Sequence, residues 1–273
     1  MNFFHPGARM SLFQRIKASF RSLFPRRYRW PGLDISLPGG QHLHLVGSIH
    51  MGTRDMSPLP AGLIDRLHNA DALIVEADIS GEESPFSGLA IPPPLSERLS
   101  ASQLAEVERL ADELGLSLSM LESQPLWQIA MVLQATQAQR LGLRGDYGID
   151  YQLLNAARTQ QLPIIELEGA ASQIALLRQM PNDGLLLLED TLTHWHTNAR
   201  LLQTMVSWWL DSPPIVDRLA LPATFSESLY DVLMHERNQA WCEKLRALPA
   251  GRYVVAVGAL HLYGEGNLPS LLR

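Results

Sequence analysis

Four short apolar runs, Leu43 to Gly47, Ala72 to Glu76, Pro163 to Leu167 and Tyr253 to Val257, punctuate a chain whose other apolar residues recur mostly at three- and four-residue spacing. Short apolar runs of that kind predict strands, that of Ala72 to Glu76 being continuously apolar, and the longer spacing predicts helices. Leu59 to Ala70 reads as an amphipathic helix between the first two strands, a β-α-β unit that implies parallel pairing. From Ser80 to Ser96 the glycines, the serines and Ile91-Pro92-Pro93-Pro94 predict a loop bordering the crevice. Leu95 to Asn155 reads as mostly helical, residues 185 to 210 with Trp195, Trp208 and Trp209 as long helices, and Phe225 to Leu248 as one or two more. No repeat of solenoid period is present. The expectation is an α/β fold: one domain over residues 31–273 with a central mixed or mostly parallel sheet and a helical insertion at about residues 95–160.

Two of the strands end alike. Gly47-Ser48-Ile49-His50 follows the run His42 to Val46, and Gly258-Ala259-Leu260-His261 follows Tyr253 to Val257. Each glycine is expected to let the backbone turn sharply, and each histidine lies just past the carboxyl end of a strand, the edge at which open α/β sheets bind ligands. If the two strands are neighbours, both imidazoles point into one crevice, which suits metal ligation or proton transfer. Glu76 ends the second strand, where the β-α-β geometry brings it to the same edge as His50, to orient the ring, raise its basicity or share a metal with it. Glu168 has the same logic after the third strand. Asp78 reads as a loop cap.

Other motifs narrow the chemistry. His235-Glu236-Arg237-Asn238 lacks the second histidine of a zinc-protease helix, since position 239 is Gln. Arg237 is expected either to stabilise an oxyanion or hold a substrate carboxylate, or to pair structurally with an acid. His194 and His196 have a spacing that suits two ligands only on a strand, in surroundings that read as helical. His42 and His44 share a strand face and are assigned surface or packing roles. Neither a glycine-rich phosphate loop nor a Gly-x-Ser-x-Gly turn is present.

Composition bounds the class. With 273 residues, 46% hydrophobic and 18% charged, the chain can bury a full core. Its single cysteine, Cys242, excludes an intrachain disulfide framework and reads as a buried apolar residue. Seven of the 22 Lys and Arg residues, and no acid, fall within residues 1 to 30, which leaves the rest of the chain strongly acidic. Nucleic acid is therefore set aside as a partner. Within that basic stretch Leu12, Phe13, Ile16, Phe20, Leu23 and Phe24 recur at helical spacing, so residues 9–29 suit peripheral contact with an anionic membrane or a partner protein, or form a loosely packed extension. No secretory signal and no transmembrane run is evident, and the expected location is cytoplasmic, with that peripheral contact as the membrane link.

At these residues the sequence resembles the TraB/GumN (TraB/PrgY/GumN) family, related to the Tiki metalloproteases and to the erythromycin esterase/ChaN-like group. The resemblance covers roughly residues 40 to 273. It rests on Val46-Gly47-Ser48-Ile49-His50-Met51-Gly52, Ala70 to Asp78 around Glu76, Gly148-Ile149-Asp150, Ile165-Glu166-Leu167-Glu168, Glu236-Arg237-Asn238-Gln239-Ala240-Trp241, and Val257 to Gly264 around His261. It implies an EreA/ChaN-like fold and an active site of His50, Glu76, Arg237 and His261, with Glu168, Asp150 and Asn238 in support. Tiki relatives act as divalent-metal-dependent peptidases, and TraB and PrgY members are linked to shutting down peptide pheromone signals. Many bacterial members carry a signal peptide that is not evident here, and the family usually runs on into a further strand beyond Leu271-Leu272-Arg273.

The leading expectation is thus a peptidase in which His50, Glu76 and His261 hold Mn, Co or Zn and activate water. A metal-free His/Glu hydrolase of esterase type and a peptide-sequestering protein are its rivals.

Overall fold

The computed structural model describes residues 27–78, 80, 90–215 and 219–273. The basic amphipathic pattern before Arg27 and most of the Ser80 to Ser96 loop lie outside the described residues.

One five-stranded sheet organises the chain, in the order β1-β2-β5-β3-β4. Its strands are β1 Gly32–Ser36, β2 Gln41–Ser48, β3 Ala72–Val75, β4 Ile164–Glu166 and β5 Gly251–Gly258. All neighbours pair in parallel except β1, which runs antiparallel to β2. The four expected strands are present, and the sheet is mostly parallel. The additional strand β1 joins β2 through Leu37 to Gly40, a turn in which Gly40 takes a φ of +86°. Its signal was the Pro38-Gly39-Gly40 breaker cluster followed by polar alternation, a hairpin pattern.

Both faces of the sheet are covered, which is why its strands read as unbroken apolar runs. Val46, Leu73, Val75, Val254 and Ala256 face helices α1 (Ala61–His68) and α4 (Ile149–Thr159), whose Leu63, Leu67, Ile149, Leu153 and Leu154 complete that core. Leu43, Leu45, Ile74, Val255 and Val257 face the other way, onto Trp241, Cys242 and Leu245 of α8 (Glu236–Arg246) and onto Leu268 and Leu272 of the C-terminal turn. Cys242 is buried there, and burial pushes its thiol pKa up.

A third core is wholly helical. It brings together α2 (Ala101–Leu114), α3 (Leu126–Arg140), α6 (Leu185–Thr193) and the start of α7 (Trp195–Leu210) around Trp127, Leu188 and Trp195. This block draws on two stretches of chain, before and after β4, whereas the sequence pattern placed one insertion at about residues 95–160. Within that range α4 packs on the sheet, because its apolar stripe faces Val46 and Leu73. Helix α5 (Ala170–Arg178) follows β4, and α8 continues without a break from Glu227–Tyr230 through a π-helical turn, Asp231–His235. No helix among the described residues is long and apolar enough to cross a membrane.

Candidate functional site

Strands β2 and β5 are neighbours, as the paired tetrapeptides require, yet their histidines part company. The parallel register sets Gly47 opposite Val257 and Ser48 opposite Gly258, so the two motifs are out of step by one residue. One residue along a strand exchanges the faces of the sheet. Val46, just before Gly47, accordingly belongs to one core, and Val257, just before Gly258, to the other. His50 emerges on the α4 side, in a bend, and His261 on the α8 side, inside the one-turn helix Ala259–Tyr263. Neither glycine has a positive φ, so sharp turning is not their role. At Gly47 the reason is contact: a Cβ would lie 3.2 Å from Pro31 and 3.3 Å from Ala259.

His50 is open to solvent, its side chain 65% exposed, and its Nδ1 lies 2.7 Å from Oδ2 of the buried Asp150. Asp150 is brought there by backbone docking. Ile149 N donates to Ile49 O at 2.9 Å, Asp150 N donates to Ser48 Oγ at 3.0 Å, and Gly52 and Arg144 exchange two backbone bonds. The hydrogen bond from Asp150, reinforced by its charge, raises the His50 pKa to about 9. His50, Asp150, Ser48, Glu76 and Gly258 line a small cavity of about 10 Å³, room for roughly one water. The second carboxylate oxygen of Asp150, Oδ1, is buried and has no hydrogen-bond partner among the described residues.

Behind this cavity Arg237 joins two carboxylates. Its Nε and Nη2 donate to Glu168 at 2.7 and 3.0 Å, and Nη2 also donates to Glu76 Oε2 at 2.8 Å. Nη1 donates to Leu233 O at 3.0 Å and meets His261 Nε2 at 3.4 Å. The guanidinium also lies over Trp241, 4.7 Å from the ring centroid, while Trp241 Nε1 donates to Glu168. Glu76 Oε1 accepts from Gly258 N at 2.6 Å, and Oε2 also accepts from Gln173 at 3.3 Å. Burial opposes the charge on Arg237, but the two carboxylates outweigh it and its pKa is raised.

These bonds decide the state of His261. Arginine only donates, so Nε2 of His261 accepts, and the ring proton must sit on Nδ1, which donates to Asn238 Oδ1 at 2.7 Å. Burial first, then the neighbouring guanidinium, lowers the His261 pKa to about 4, and the ring is neutral.

Of the residues expected at the site, His50 and Glu76 share the cavity, whereas Arg237, Glu168 and His261 form the wall behind it. Arg237 has all five donor hydrogens committed, which corrects its expected role as a free oxyanion or carboxylate clamp. The expected metal set of His50, Glu76 and His261 does not fit a three-ligand centre in this arrangement. The lone pair of His261 Nε2 and the oxygens of Glu76 face Arg237 and Gly258 N, and a guanidinium there repels a cation. No three His, Cys, Asp or Glu groups among the described residues are placed to hold a metal ion.

Sequence reasoning missed Gln173, whose Nε2 bridges Glu76 and Glu168 and which carries no motif signal. It also passed over Trp241 as a stacking partner, although Trp241 follows Arg237 by one helical turn. Asp78 pairs with Arg158 and Ser80, consistent with a loop-ordering role. His44 is buried and accepts from Trp30, a packing role, and His42 bonds Ser36.

The family model for the TraB/PrgY/gumN family matches residues 34–273. The chain is 62% identical over 264 residues to the uncharacterised protein YbaP of Escherichia coli (strain K12), covering 97% of this chain and 100% of that protein. It is equally similar, over the same shares, to YbaP of Shigella flexneri. No solved structure matches the chain at a significant level. The matched region contains the whole sheet but its first two residues and every residue of the site, and the chain belongs to the TraB/PrgY/gumN family.

Proposed function

We propose that the chain is a hydrolase acting on peptides, with His50 as its proton-transfer group and Asp150 as the residue that positions it. The observation that carries this reading is the 2.7 Å bond between His50 Nδ1 and Asp150. That bond sets the tautomer and leaves Nε2 as the ring nitrogen with no partner among the described residues. The adjoining space for one water, beside the unpaired Asp150 Oδ1, supplies a place for the nucleophile. Nε2 takes a proton from the water as its oxygen attacks the scissile carbonyl, then returns that proton to the amine as the C–N bond breaks. Glu76 and Glu168, neutralised by Arg237, hold the cavity wall. The peptide as substrate class rests on membership of the TraB/PrgY/gumN family together with the resemblance to Tiki metalloproteases drawn from the sequence. A divalent cation would have to displace Arg237 from Glu76 and His261, and no step is assigned to one.

The test is a peptide-cleavage screen of the wild type, His50→Ala and Asp150→Asn, run with chelator and then with added Mn, Co or Zn. We expect cleavage in chelator, reduced by about 10²–10⁴-fold in His50→Ala. With the His50 pKa at about 9, the free base is the minor form at neutral pH. kcat/KM should therefore climb with pH and level off near that value, and a flat profile would remove His50 as the base. Activity only with added metal would assign a cation mechanism, and a stable complex with intact peptide would assign a binding protein.

A further inference from the structure

The cavity at His50 has room for about one water and cannot hold a substrate. A second cavity, of about 520 Å³, opens beside it. Gly258 lines the first and Leu260 the second, and two residues of chain span at most about 7 Å. Both therefore flank the single turn that carries His261.

The second cavity has a definite chemistry. Leu201, Leu221, Phe225, Met234 and Leu260 form an apolar wall, while Glu227, Asp231 and Glu265 are exposed and no Lys or Arg is among the described lining residues. Asp231 pairs with His235 at 3.0 Å, but Glu227 and Glu265 make no ion pair among the described residues. Thr224 also lines the space. It is 7% exposed and adds a hydroxyl-bearing side chain to the lining.

We propose that this cavity is a subsite for a basic side chain, lysine or arginine, of the bound peptide. The occupant follows from complementarity. Such a side chain lays an aliphatic stem on apolar surface and carries its charge outward, here to Glu227 and Glu265 at the rim. An acidic side chain would meet repulsion, and a purely apolar one would leave the rim carboxylates Glu227 and Glu265 without a cation. That the peptide is a substrate rests on the hydrolase reading above; that the cavity binds it does not.

Equilibrium binding separates the two. Fluorophore-tagged hexapeptide pools, randomised except for one position fixed as Lys, Arg, norleucine or Glu, are titrated against the full chain at low salt. The Lys and Arg pools should bind about three- to fivefold more tightly than norleucine, the scale of exposed ion pairs, and Glu more weakly still. The double variant Glu227→Gln/Glu265→Gln should abolish that preference. The control Glu108→Gln/Asp112→Asn, which removes two exposed acids from α2, should retain it and so exclude general attraction to an acidic protein. Equal affinity for Lys, Arg and norleucine, or equal weakening in both double variants, overturns the proposal. Basic-residue preference without any cleavage keeps the subsite and removes the hydrolase, whereas cleavage without that preference does the reverse.

Discussion

At the scale of single residues the site is governed by one cation. Arg237 balances Glu76 and Glu168 at a place where water reaches none of the three freely. Removing one member of a buried ionic cluster is costly because the partner charges stay behind, typically ~3–5 kcal/mol. Arg237→Met should therefore lower unfolding stability by about that amount in a denaturant titration. Arg237→Lys keeps the charge but cannot place a planar fork against Glu168 while reaching Glu76, and its loss should fall between wild type and Met. A near-neutral Arg237→Met would mean that the cluster is not what secures Glu76. This role was only half legible. A helix-borne arginine near two strand-end acids was visible in the sequence, as was the possibility that it pairs with them. That all of its donors are used depends on Leu233 O and His261 Nε2, which no spacing reveals.

At the scale of elements, the short segment before α4 matters more than its length suggests. Gly148 passes so close to the loop after β2 that a Cβ there would lie 2.3 Å from the His50 carbonyl oxygen. Its φ is −59°, so the requirement is closeness and not conformation. Gly148→Ala should push this segment away, breaking the Ile149 N to Ile49 O bond and the Asp150 to His50 pair. The expected cost is about 1–3 kcal/mol. The more specific readout is the His50 imidazole pKa followed by NMR, which should fall from about 9 toward its ordinary 6.5. An unchanged titration would show that Asp150 reaches His50 without this docking. The Gly148-Ile149-Asp150 motif was legible as a helix start, whereas its contact with a segment some 100 residues earlier was not.

At the scale of the whole molecule, the two histidines tilt stability in opposite directions. His261 has a pKa of about 4 in the fold against an ordinary 6.5, so between those values the unfolded chain takes the proton and stability drops as pH falls. His50 has about 9 against 6.5, so over that window the folded chain holds the extra proton and stability drops as pH rises. Thermal unfolding across pH 4 to 9 should show both slopes. The acid-side difference should vanish in His261→Gln and the alkaline-side difference in His50→Gln. The body to which this applies is a sheet with two covered faces plus a helical block with its own core, and the site lies on the sheet edge between strands of both chain halves.

The hydrophobic pattern by itself located four of the five strands and most of the helices, and the repeated Gly-x-x-His device pointed to the first and last of those four strands being brought together. Burial on two faces writes itself into a sequence as unbroken apolar runs. Only the tertiary structure decided which histidine is free. A register offset of a single residue sends His50 to solvent beside Asp150 and His261 into the protein beneath Arg237, and register is a property of two strands together, set by how both faces pack. The same holds for Arg237, whose charge was readable from the start and whose partners were supplied by the residue just past β3, the turn after β4, the π-helical turn and the helix after β5, four pieces that only the fold brings within hydrogen-bonding distance.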